Sequence, residues 1–142
     1  MTMALCLPFK PRSLNAKRGE NYHTAIAKAA SERFSGSPLE TPLYSRIIWF
    51  HKYVSQGGDV DNIAKRIHDA LKGVLFVDDG VITHSLAVRV DASEVYEIID
   101  DPNNPDPASE LLSMLARSEH RDVLYIEIGA QLDSKTRLGP IQ

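Results

Sequence analysis

The chain has 142 residues, 43% apolar and 25% charged, with a formal net charge of −3, which fits one domain with a sizeable core. No apolar run is long enough to cross a bilayer, and the single Cys6 excludes an internal disulfide and a cysteine-built zinc site. The opening MTMALCLPFKPR carries its basic residues after its apolar run, unlike a secretory signal, so a cytoplasmic protein with a buried thiol at Cys6 is expected.

In chain order, Ala4 to Leu7 reads as a short strand that stops at Pro8. Lys10 to Asn21 is polar, basic and punctuated by Pro and Gly, which predicts a loop. Tyr22, Ile26, Ala29, Ala30 and Phe34 recur at helical spacing and predict a helix over 22–34. Leu43 to Val54 is rich in aromatic and β-branched residues and reads as a strand. A second helix is predicted from Asn62 to Lys72, with Ile63, Ile67, Ala70 and Leu71 as its apolar stripe and Gly73 as its stop. Val74 to Val77 reads as a further short apolar strand, and Val81 to Val90 as a longer one. Asp91 to Asp101 fits strand or helix equally. The run DDPNNPDP is a loop, Ala108 to Arg117 a helix with Asp106 as its cap, and Asp122 to Gly129 a final strand. Helices mixed with hairpin-capable strands predict an α+β two-layer sandwich, with a mixed β-sheet and helices on one face.

The stretch GDVDNIAKRIHDALKGVLFVDDGVI, from Gly58 to Ile82, carries the chemistry. Asp59 and Asp61 stand two apart on chain expected to be extended, where both side chains point to one side. Asp78 and Asp79 follow the helix, and Lys65 lies one turn inside it. Carboxylates that converge repel one another unless a cation or proton sits between them. Hard divalent cations such as Mg²⁺ take one or two such carboxylates and keep waters for a substrate to displace. A lysine alongside can offset charge that builds on phosphorus. Each acid also has a plainer use: Asp61 as a helix cap, Asp78-Asp79-Gly80 as a turn, Lys65 as a solvated partner of Asp61 or Asp69. Spacing alone does not choose between these uses.

The net charge conceals a gradient. Residues 1–53 hold eight Lys or Arg against three Glu, and residues 91–142 hold four against eleven acids. Binding follows the local field, so the basic third can face phosphates while the acidic third faces away. Arg12, Lys17 and Arg18 in the early loop are candidate DNA-backbone ligands. Trp49, Phe50 and Tyr53 fit core packing better than base stacking, and the five histidines show no metal-ligand spacing.

The ordered elements Asp59-x-Asp61-Asn62, Lys65, Asp69-Ala70-Leu71 and Asp78-Asp79 resemble the signature of the RusA family of Holliday-junction resolvases. The first strand, the basic loop, the helix after it and the last strand are similar as well. The resemblance implies a RusA-like fold and a homodimer that binds branched DNA, four-way junctions above all. It implies cleavage of two strands with Mg²⁺, Mn²⁺ being a second option, in recombination and repair. Carried over, Asp59, Asp61 and Asp79 become metal ligands and Lys65 the cationic catalytic residue. Asn62 braces the site, Asp78 supports it or stands as an alternative ligand, and Asp69 belongs to helix packing. One departure is an acidic insertion at about 91–120, within a single domain spanning 1–142, with seven acids before Arg117. It leaves a catalytically silent DNA-binding or adaptor protein of the same fold as the alternative.

Overall fold

Side chains along a strand alternate between the two faces of a sheet, and here that alternation builds two separate cores. A computed structural model describes residues 2–10, 19–52, 60–93, 98 and 106–130, with the side chains of residues 2, 19–21 and 60–62 left out of the description. The elements are β1 (Thr2–Leu7), α1 (Gly19–Arg33), β2 (Leu43–His51), α2 (Val60–Leu71), a 3-10 turn (Asp79–Val81), β3 (Ile82–Asp91), α3 (Asp106–Ala116) and β4 (Asp122–Ala130). The strands form one mixed sheet in the order β1-β4-β2-β3. β1 and β2 both pair antiparallel with β4, while β2 and β3 are parallel and joined through α2. The predicted α+β class with a mixed sheet is the architecture found.

The larger core lies between the sheet and the helices α1 and α2. Leu5, Ile47, Trp49, Leu124, Ile126 and Ile128 meet Ile26 and Ala30 of α1 and Ile63, Ile67 and Leu71 of α2. The apolar stripe predicted for the second helix is the face that packs. The smaller core is on the other side of the sheet, where Ala4, Cys6, Phe50, Val123 and Tyr125 pack against Leu111 of α3. The expected arrangement, all helices on one face, therefore holds for α1 and α2 and not for α3. The reason lies in β4, where Val123, Leu124, Tyr125 and Ile126 are buried in succession. A strand buried on both faces needs a second cover, and α3 is that cover. Burial pushes the Cys6 thiol in this core up to about 12.

Two other expectations are corrected. Val74 to Val77 is not a strand of the sheet. Its backbone is spent on closing α2: Leu75 N–H donates to Leu71 O (2.9 Å) and Gly73 N–H to Phe76 O (2.8 Å). Gly73 takes the left-handed conformation that such a stop requires, at φ 81°. Leu75 and Phe76 are fully buried under it, and Val77 and Leu39 bond across to fix the segment. Second, α2 begins at Val60, so Asp61 stands in its first helical turn and not on extended chain. Arg33 at the end of α1 reaches Glu110 of α3 at 2.7 Å and so links the two layers.

Candidate active site

Doubling back of the chain after α2 is what assembles the site. The buried plug of Leu75 and Phe76 turns the backbone so that Asp79 returns alongside the helix it has just left. There its Oδ2 lies 3.7 Å from Lys65 Nζ. Lys65 Nζ also lies 3.6 Å from Asp69 Oδ1, one turn further along α2. Both separations are long for a direct hydrogen bond, and the lysine is 59% exposed. It is shared loosely between two acids and remains able to turn to an incoming anion. Pairs of this kind contribute about 1 kcal/mol or less to stability.

Asp79 is divided in its surroundings. The side chain as a whole is 36% exposed, yet its Oδ1 is enclosed and has no hydrogen-bond partner among the described residues. An enclosed carboxylate oxygen without a donor costs about 1–3 kcal/mol or more. A cation is the natural remedy, so the donor set fits a hard divalent metal at Asp79. Among the described residues there is no group of three His, Cys, Asp or Glu placed to hold a metal. Asp59 and the side chains of Asp61 and Asn62 lie outside the described residues. What the backbone does establish is position: Asp61 precedes Lys65 by one turn in the same helical row, and Asp69 follows by one turn.

Asp78 faces another way. Its Oδ1 lies 3.4 Å from Lys72 Nζ, and Lys72 holds its carboxyl below the usual range, with the backbone N–H groups of Asp79 and Gly80 acting in the same direction. Asp69, read from the sequence as a packing residue, is also a direct neighbour of Lys65, and its carbonyl accepts a hydrogen bond from His23 of α1. Arg12, Lys17 and Arg18 lie outside the described residues, as does Tyr53. Trp49 and Phe50 are core residues.

Sequence reasoning passes over His68. It is buried directly behind the site, with its Nε2 2.8 Å from Ser45 Oγ of β2 and its ring edge-on to Phe76. Burial lowers its pKa, and the charges of Asp79 and Asp69 oppose that shift. The available signal is its place three residues after Lys65 and next to Ile67, at the margin of the apolar stripe.

α3 and its acids Asp106 and Glu110 lie across the sheet from α2. α3, the helical part of the acidic insertion, is therefore not on the face that carries Lys65. No helix among the described residues is long and apolar enough to cross a membrane. The sequence profile of the family described as Endodeoxyribonuclease RusA matches residues 10–98. That span includes Lys65, Asp69, Asp78 and Asp79 and ends before α3. No curated protein matches the chain.

Proposed function

The chain belongs to the RusA endodeoxyribonuclease family, and from that premise we propose that it is a metal-dependent, structure-selective endonuclease that resolves four-way DNA junctions in recombination and repair. The observation that carries the reading is the pairing of Lys65 with Asp79, whose second oxygen is enclosed and without a donor. Asp59, Asp61 and Asp79 are the residues that would hold Mg²⁺, with Mn²⁺ as a substitute. A divalent ion held there would polarise the scissile phosphate and lower the pKa of a water bound to it.

The chain's own groups supply the rest. The Lys65 ammonium leaves its loose pairs and donates to a non-bridging phosphate oxygen, where negative charge grows as the attacking water oxygen bonds to phosphorus; the leaving oxygen then departs with the electrons of the broken P–O bond and takes a proton from solvent. Asp69, 3.6 Å from the ammonium, limits its swing. Leu75 and Phe76, both fully buried, hold Asp79 at a fixed place relative to α2. Two copies related by a two-fold axis would present two such sites, which matches the symmetry of a four-way junction.

The test uses a labelled four-way junction and a linear duplex of the same sequence, each with Mg²⁺. The proposal expects paired nicks in the junction and none in the duplex. A stable shifted complex without nicks in either Mg²⁺ or Mn²⁺ would instead identify a silent binder.

A further inference from the structure

We propose that His68 is a positioning residue of the active site: its hydrogen bond to Ser45 fixes the roll of α2, and so the places of Asp61 and Lys65 relative to Asp79; this rests on the nuclease reading above. His68 Nε2 lies 2.8 Å from Ser45 Oγ of β2, and both residues are buried. The serine hydroxyl can donate or accept, so the bond forms with either tautomer of the imidazole. The ring also meets Phe76 edge-on, with centroids 6.4 Å apart. His68 stands three residues after Lys65 and is its neighbour on the surface of α2. One side chain thus links the helix that carries Asp61 and Lys65, the sheet beneath it and the plug that leads to Asp79.

Stability alone does not account for this pair. Two buried polar groups replaced together by apolar groups of the same shape can leave stability unchanged or raised. What a satisfied polar pair adds is direction. Ile63, Ile67 and Leu71 hold α2 in the core through contacts that are non-directional, and such contacts tolerate a small rotation of the helix about its axis. The bond from His68 to Ser45 does not, because it weakens steeply once its angle is lost.

The roll matters because the groups of the site are divided between two segments. Asp61 and Lys65 are on α2, and Asp79 opens the 3-10 turn beyond the plug. A side-chain group about 6 Å from a helix axis moves about 1 Å when the helix rolls by about 10°. A misplacement of about 1 Å can cost on the order of a hundredfold in rate. Lys65 has a long, exposed stem and can recover part of such a shift. The short side chains of Asp61 and Asp79 cannot, so a cation held between them would bind more weakly.

The experiment uses three variants of the full chain. Ser45→Ala removes the bond from the sheet side, His68→Phe removes it from the helix side and keeps a ring against Phe76, and His68→Gln keeps a polar group near the Nε2 position. Two quantities are read: the single-turnover rate on a saturating labelled four-way junction in Mg²⁺, well below each melting temperature, and the Mg²⁺ concentration that gives half of the metal-induced rise in melting temperature. S45A and H68F should cut about tenfold more slowly and need several-fold more Mg²⁺, while their affinity for the junction without metal stays within about twofold of the wild type. H68Q should recover most of both losses. S45A and H68F that cut at the wild-type rate with the wild-type Mg²⁺ dependence, whatever their melting temperatures, make the pair merely structural; they overturn the role of His68 and leave the nuclease reading in place. Losses in H68F and H68Q that are absent from S45A overturn it too, because Ser45 is then not the contact that matters. A wild-type chain that does not cut the junction defeats the nuclease reading, and this one with it.

Discussion

Lys65 Nζ and Asp79 Oδ2 lie 3.7 Å apart although a helix end, a glycine turn and a buried plug separate them in the chain. The separation is short enough to orient the ammonium and long enough to release it. Lys65→Ala should lower the single-turnover cleavage rate by about a hundredfold or more, roughly 3 kcal/mol of barrier, as removal of one preorganised donor does. Junction affinity should change by a few-fold only. An unchanged rate would remove the lysine from the mechanism.

The enclosed Oδ1 of Asp79 predicts a measurable metal effect on stability. At free Mg²⁺ about tenfold above its dissociation constant, the folded state gains about 1.4 kcal/mol, or about 4 °C in melting temperature for a chain of this size. The shift should largely vanish in Asp79→Asn. An equal shift in that variant would place the ion elsewhere.

His68 predicts a pH dependence of stability. Burial holds its folded pKa below the ordinary 6.5, while the unfolded chain takes up its proton near that value. Between the two pKa values the unfolded state binds more protons, so this contribution is complete above pH 6.5 and is lost as the pH falls through the depressed value. Denaturant unfolding of His68→Gln between about pH 5 and 7 should show a flatter profile than the wild type, because this titration is absent from both of its states. Parallel profiles would contradict the assignment.

Two adjacent leucines of α3 differ sharply in burial. Leu111 is 4% exposed in the smaller core and Leu112 is 51% exposed. Leu111→Ala should cost about 2–4 kcal/mol in urea unfolding, and Leu112→Ala about 0.5 kcal/mol or less. Neither should alter the metal-dependent step, because α3 lies on the opposite face from Lys65. Equal costs would contradict the placement of α3.

Much of this arrangement can be read before the structure is known, and the exceptions have physical causes. Ile63, Ile67, Ala70 and Leu71 repeat at helical spacing, so α2 and its packing face are legible. Val74 to Val77 has the composition of a strand, but its backbone groups are divided between the turn that ends α2 and Leu39, a use that composition does not reveal. The face taken by α3 depends on which side of β4 is left uncovered. The unbroken apolar run from Val123 to Ile126 is the clue to two buried faces, and alternation alone does not read it. In the site, the order of Asp59, Asp61, Lys65 and Asp79 points to the family. The approach of Asp79 to Lys65 requires the fold. Asp69 and His68 are undervalued in the sequence because a helix-packing acid and a lone histidine usually have plain structural uses.

The most direct test of the central claim compares the wild-type chain with Asp79→Asn on one labelled four-way junction in Mg²⁺. The wild type should cut opposing strands in pairs, while Asp79→Asn should bind with similar affinity and lose cleavage by about a hundredfold or more, the scale set by removing one preorganised charge. Cleavage by Asp79→Asn at the wild-type rate would contradict the account.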